Sequence, residues 1–140
     1  MIRYLLDSSA LWRLMREPPL RAAWAPQIGE GTIGSCHPQR AEFRRSARDL
    51  NEYERICGMY DGLYPDVPVP KSAWRWVESA QYRLLRAGVH KAASVVDLLV
   101  AATAAHHGIT VLHDDRDFPA VAKVLTDVRE RRIQDTPTTG

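Results

Sequence analysis

The sequence predicts an α/β fold, a mostly parallel sheet covered by helices on both faces. Three observations carry that prediction. Short apolar runs alternate with helical stretches along the whole chain. The opening stretch MIRYLLDSSAL is a short buried strand that ends on Asp7 and turns at once into a helix. Neither an internal repeat nor an interdomain linker interrupts the alternation.

Size and composition bound the possibilities. A chain of 140 residues, 45% hydrophobic and 26% charged, suits one domain with a single core and argues against disorder. The expected domain is 1–134, followed by a Thr/Pro-rich flexible tail at 135–140. A net charge of +2 is too weak, taken alone, to indicate nucleic acid as a partner. Cys36 and Cys57 have no companions at zinc-ligand spacing, so free thiols in a reducing compartment are expected. The first residues lack the basic and apolar pattern of a secretory leader, so none is expected, and no apolar run reaches the roughly 18 residues of a membrane span. A cytoplasmic protein without a membrane partner is the expectation.

Each element has a local reason. Residues 2–6 form the first strand. Ser8 or Ser9 caps a helix over 9–16, which Pro18 and Pro19 stop because neither has an N–H to donate. A helix over 20–28 ends near Gly29, and 32–36 is a short strand weakened by Gly34. Pro38 suits the first turn of a helix reaching Ala47. The next helix covers 50–64 and bends or breaks at Gly58. Pro65, Pro68 and Pro70 bracket Val67 and Val69 as an edge-like strand. A long helix over 71–86 offers Trp74, Val77, Tyr82 and Leu85 to the core, and Gly88 closes it. The apolar helix 98–107 follows Ser94-x-x-Asp97 and ends at Gly108 in a left-handed cap. Residues 110–113 are a strand, 114–117 a turn, 118–124 a short helix, and 125–128 a last strand.

Parallel topology gives several acids one address. Each strand runs up and each helix runs back down, so strand ends and helix starts share one edge of the sheet, where α/β folds bind ligands. Asp7 and Asp115 follow strands, Asp97 lies in a first helical turn, and Glu42 is about one turn into its helix. Carboxylates gathered there repel one another unless a cation neutralises them. Mg2+ or Mn2+ fits, because no His/Cys cluster suits a softer metal.

Each acid also has a purely structural explanation. Asp7 can cap its helix, Asp97 completes a capping box with Ser94, and Glu42 can pair with Arg45. Asp114, Asp115 and Asp117 are turn formers. His106 and His107 suit the last turn of a helix, and His113 is read as positioning the Asp115 loop. The shared address makes the joint reading stronger than any single one.

YLLDSSAL, CHPQRAEFRRSAR, SVVDLLVAATAAHHG and VLHDDRDF span most of the chain, and in this order the sequence resembles PIN-domain ribonucleases of the VapC type, the toxins of VapBC toxin–antitoxin pairs. The resemblance implies a PIN-like three-layer α/β/α fold. It implies that Asp7, Asp97 and Asp115 bind the metal, that Glu42 joins them as a catalytic acid, and that Asp117 is an accessory acid. Related sequences often carry an aromatic residue where this chain has Asp114, which leaves Asp114 and Asp115 as alternatives; Asp115 is preferred because its spacing to Asp117 and Phe118 fits the family. The implied reaction is metal-dependent hydrolysis of RNA phosphodiester bonds by Mg2+ or Mn2+, with Glu42 or Asp115 orienting the attacking water.

RNA must also be held. Arg40, Arg44, Arg45 and Arg48 lie on or beside the Glu42 helix, and Arg44, Arg45 and Arg48 are the candidate phosphate contacts. Trp12, Trp24, Trp74 and Trp76 are candidate stacking surfaces, with core packing the alternative. The resemblance further implies a homodimer and a cognate VapB-type antitoxin. Leu11, Trp12, Leu14, Met15, Tyr53, Ile56 and Tyr60 are candidates for those surfaces or for the core. The competing function is a non-catalytic PIN-fold module that binds antitoxin or nucleic acid. A phosphoacceptor receiver domain is disfavoured, because its aspartate and lysine at two strand ends cannot be placed.

Overall fold

The computed structural model describes residues 1–137. Its sheet has four strands in the order β2-β1-β3-β4, all parallel: β1 Tyr4–Leu6, β2 Ile33–Gly34, β3 Thr110–His113 and β4 Arg129–Arg132. Seven helices are described: α1 Ser8–Arg16, α2 Pro18–Gly29, α3 His37–Arg44, α4 Leu50–Leu63, α5 Ala73–Arg86, α6 Val95–His107 and α7 Phe118–Val124. None of them is long and apolar enough to cross a membrane.

Strand alternation sorts the core into two layers. Leu5 and Val111 point to one face, where they meet Val77, Ala80 and Leu84 of α5, most of α6, and Phe118 and Val121 of α7. Leu6 and Leu112 point to the other and meet Leu11 and Leu14 of α1, Trp24 of α2, Phe43 of α3, and Ile56 and Tyr60 of α4. This is the three-layer α/β/α arrangement. Helix α6 is buried continuously from Leu98 to Ala104, as an apolar helix between a sheet and a second helix must be. Gly108 ends it at φ 68°, the left-handed cap expected from its position.

Several boundaries differ from expectation, each for a local reason. The prolines Pro18 and Pro19 do not only end α1; they occupy the first turn of α2, where a missing N–H costs nothing. Strand β2 shrinks to Ile33–Gly34, and α3 ends at Arg44. A Cβ on Gly34 would stand 2.5 Å from Val67 Cγ2 and 3.0 Å from the Pro65 carbonyl, so the glycine permits a close approach. That approach carries what remains of the edge strand expected at Val67 and Val69. It is one parallel bridge, Ser35 to Asp66, with Ser35 N donating to Pro65 O and Val67 N to Ser35 O, both at 2.8 Å. Helix α4 runs unbroken through Gly58, which faces open space.

Two expectations are overturned. Trp74, Tyr82 and Leu85 are not core residues; they are 65%, 63% and 60% exposed. The buried stripe of α5 is Ala73, Val77, Ala80 and Leu84, whose small members let α5 pack closely on α6. The last strand is not 125–128 but Arg129–Arg132, an RERR sequence of low strand propensity. Tertiary contacts override that propensity. Glu130 reaches His113 at 2.5 Å, and the Arg131 guanidinium lies over the rings of Tyr4 and Trp24 at 5.8 and 5.3 Å. Of the tail expected at 135–140, residues 138–140 lie outside the described residues, while the Asp135 carbonyl accepts a hydrogen bond from Arg131 Nε at 2.8 Å.

Candidate active site at the carboxyl edge of the sheet

Asp7 ends β1, its backbone N–H still donating to Leu112 O at 2.9 Å. Its side chain, not that of Ser8 or Ser9, caps α1. Oδ2 accepts from Ser9 N at 3.2 Å and from Ser9 Oγ at 2.5 Å. Ser9 Oγ in turn accepts from Asp114 N at 2.9 Å, tying the first helix to the loop after β3. Asp7 is 4% exposed, and its Oδ1 is buried without a hydrogen-bond partner. Burial pushes its pKa up to about 6, with the charges of Asp97 and Glu42 adding to the rise and the Ser9 bonds opposing it.

Asp97 completes the capping box of α6: its N–H donates to Ser94 Oγ at 3.1 Å, and its Oδ2 accepts from Ser94 N at 2.9 Å. Its pKa is also raised, by burial first and then by Asp115, against the Ser94 bonds. In both Asp7 and Asp97 the candidate site acid is thus also the helix cap. Glu42 stands half-buried on α3. That helix is anchored beneath it by Gln39, whose Nε2 donates to Ser8 Oγ at 3.0 Å and to Tyr60 OH at 2.8 Å.

The loop after β3 separates its acids by their partners. Asp114 pairs with Arg13 at 3.1 Å, and Arg13 also grips Glu17. Asp115 is the loop acid whose charge reaches Asp97, and its Oδ1 accepts from Asp117 N at 2.9 Å. Asp117 is exposed at the start of α7. His113 is fully buried and holds this loop. Its Nδ1 accepts from Asp115 N at 3.1 Å, which leaves the Nε2 hydrogen to donate to Glu130. The ring stacks on Phe118 with centroids 4.8 Å apart.

Asp7, Glu42, Asp97 and Asp115 are thus linked in pairs through their charges at one edge of the sheet. Among the described residues, however, no three metal-ligating side chains are drawn into a closed cluster. The donor set is all oxygen and the buried Oδ1 of Asp7 is orphaned, so these residues fit a hard divalent ion.

The arginines divide. Arg40 is not at the crevice: it is 8% exposed, with Nε on Ser35 Oγ, Nη2 on the Tyr64 carbonyl and its guanidinium 5.2 Å from the Tyr60 ring centroid. Arg44 lies over Tyr53, Arg48 pairs with Glu52, and Arg45 is exposed at the end of α3. Trp24 is core, with Nε1 donating to Ile133 O. Leu11, Leu14, Ile56 and Tyr60 are core as well, whereas Trp12, Met15 and Tyr53 remain exposed. Trp12 and Met15 line a groove of about 380 Å3 between α1 and α4, with Phe43, Ile56 and Met59 at its floor. Sequence reasoning missed Gln39, Glu130 and Arg13, whose roles depend on partners far away in the chain.

A parallel sheet with carboxylates at the ends of β1 and β3 and near the starts of α3 and α6 defines an α/β protein with an acidic site at its carboxyl edge. The family model of the PIN domain matches residues 4–124, and the chain belongs to that family. It is 56% identical over 107 residues to "Ribonuclease VapC6" of Mycobacterium tuberculosis, covering 76% of this chain and 84% of the relative. It is 36% identical over 124 residues to "Ribonuclease VapC21" of the same species, covering 87% and 88%. Solved structures with the same fold include a DNA-bound VapBC from Salmonella typhimurium. That chain has a TM-score of 0.76 and 16% identity, with 95% of this chain and 99% of that one covered. VapBC-1 from nontypeable Haemophilus influenzae gives a TM-score of 0.75 and 15% identity, covering 96% and 99%.

Proposed function

We propose that this chain is a ribonuclease toxin of the VapC type that hydrolyses RNA phosphodiester bonds at the Asp7 edge of its sheet. The observation that carries the proposal is Asp7 itself: a buried carboxylate, raised to about 6, with an unpartnered oxygen and the charges of Asp97 and Glu42 upon it. A structural cap needs neither the second oxygen nor the neighbouring acids. Asp7, Asp97 and Asp115 would hold Mg2+ or Mn2+, with Asp117 as an accessory acid. When bound, such an ion supplies Lewis-acid stabilisation of charge on the phosphate and an activated water.

The chain's own residues supply the positioning. Ser9 fixes Oδ2 of Asp7 and leaves Oδ1 available, and Ser94 does the same for one oxygen of Asp97. Glu42, on the helix that Gln39 anchors, or Asp115, on the loop that His113 holds, orients the attacking water. Arg44, Arg45 and Arg48 are proposed as RNA phosphate contacts on the α3 side. The groove beside Trp12 and Met15, apolar at its floor and rimmed by Arg48 and Arg55, is proposed as the seat of a cognate VapB-type antitoxin. The outer face of α5, with Trp74, Tyr82 and Leu85 exposed, is the proposed contact of a homodimer. The proposed compartment is the cytoplasm.

The test is cleavage of total RNA by wild type and by Asp97→Asn in Mg2+ or Mn2+. The variant should fold, by circular dichroism, and cleave nothing; cleavage at the wild-type rate removes Asp97 from the site. The open spacing of the acids favours one second reading, a PIN fold that binds without catalysis. Absence of Mn2+ binding together with no cleavage across diverse RNAs would select it.

A further inference from the structure

A polar cleft of about 330 Å3 includes Asp115 and lies over the ends of β3 and β4. It is lined by Arg13, Asp114, Asp115, Arg116, Arg132 and Gln134. Register explains why these residues meet. His113 pairs with Arg132 as the last step of the β3–β4 ladder, and Ile133 N then donates to His113 O at 2.7 Å. The chain on either side of that step, Asp114 to Arg116 and Arg132 to Gln134, therefore rises together above the sheet. Arg13 of α1 closes the third wall.

Charge decides what the cleft suits. Arg13 pairs with Asp114 at 3.1 Å and with Glu17, so its charge is already shared between two carboxylates. Asp115 is the acid shared with the Asp7 site. Arg116 and Arg132 are exposed and, among the described residues, make no ion pair or side-chain hydrogen bond. The free positive charge of the cleft is therefore that of Arg116 and Arg132, and two uncommitted guanidiniums suit an anion with several oxygens. Arg132 and Gln134 lie beyond the residues 4–124 that match the PIN model, so this wall is supplied by the chain's own last strand.

We propose that this cleft is a phosphate subsite for single-stranded RNA, taking a backbone phosphate next to the one at the Asp7 crevice through Arg116 and Arg132. The proposal rests on the ribonuclease reading, because adjacency to the acids is what singles out an RNA phosphate among anions. Gln134 adds an amide donor and acceptor that a ribose or base edge can meet. The subsite sets the path of the RNA across the carboxyl edge, from α3 over Asp7 to the end of β4.

The experiment uses the full chain carrying Asp7→Asn, a fluorescein-labelled single-stranded RNA, and fluorescence anisotropy in Mg2+ across a salt series. Adding Arg116→Gln and Arg132→Gln together should weaken binding about ten-fold. It should also lower the salt slope by about 0.7, the value of one phosphate contact on a single strand. The control pair Arg3→Gln and Lys123→Gln removes the same charge from exposed positions before β1 and at the end of α7, and should change neither. In proteins that keep Asp7, the cleft pair should raise KM and leave kcat in place. Unchanged affinity and slope, or an equal loss in the control pair, overturns the subsite while RNA cleavage by the wild type still stands. A wild type that cleaves no RNA overturns the ribonuclease reading instead. A short oligoglutamate peptide that binds as tightly, and is lost with the same substitutions, overturns the proposal in favour of an acidic protein partner.

Discussion

Replacing Asp7 by Asn separates the charge of this residue from its shape. Its carboxyl moves from 3.8 in the unfolded chain to about 6 in the folded one, mainly through burial. A group whose pKa is raised by folding binds more protons in the folded state between those values. Stability therefore falls as pH rises from about 4 to about 6 and stays low above that window. At 1.36 kcal/mol per unit, the displacement is worth about 3 kcal/mol. Asn keeps an oxygen for the Ser9 bonds but puts an amide N–H where Oδ1 has no partner, which costs back ~1–2 kcal/mol. In the presence of EDTA at pH near 7.5, Asp7→Asn should thus be ~1–2 kcal/mol more stable than wild type. At pH near 4 it should be the less stable of the two. Urea unfolding at both pH values, followed by circular dichroism, reads this as midpoints that cross while m stays constant. Added Mn2+ should raise the wild-type midpoint and leave the variant's unmoved. A variant that is less stable at neutral pH, or a difference that does not change with pH, would refute the assignment of Asp7 as a strained, charge-burdened carboxylate.

Two further outcomes follow from packing and hydrogen bonding. Gly34→Ala places a Cβ 2.5 Å from Val67 Cγ2 and against the Pro65 carbonyl, so it should cost ~1–3 kcal/mol and lower Tm; an unchanged Tm means the Ser35–Asp66 bridge gives way freely. Glu130→Ala strips the fully buried His113 of its Nε2 partner and should cost ~1–3 kcal/mol with a loss of RNA cleavage, whereas Glu130→Gln, which keeps an acceptor, should restore most of both.

How much of the protein is legible in its sequence depends on range. Asp7, Asp97 and Gly108 were readable because a strand end, a capping box and a left-handed cap are local signals with few alternatives. The parallel order followed from alternation, and with it the shared edge of the acids. Helix α5 misled because Trp74, Tyr82 and Leu85 form an apolar stripe of their own; only contact with α6 shows that the alanine stripe is the buried one. The RERR strand was illegible for the same reason, since its stabilising partners, His113, Tyr4 and Trp24, are supplied by three other elements. At the site, local rules placed the acids on elements. They did not reveal that Arg13 would claim Asp114 and leave Asp115 as the loop acid whose charge reaches Asp97.

That RERR strand has a consequence for how copies of this protein can meet. β4 is an outer strand of the sheet, and an outer strand offers a row of unpaired backbone groups as a template for another chain. A second copy adding here would set its arginines about 4.8 Å from those of the first, with no carboxylates to spare because Glu130 is turned inward to His113. Pairing of two copies along β4 is therefore opposed by repulsion between their arginines. A change as small as Arg129→Val with Arg132→Thr would remove that repulsion and leave this outer strand open to pairing with a second copy.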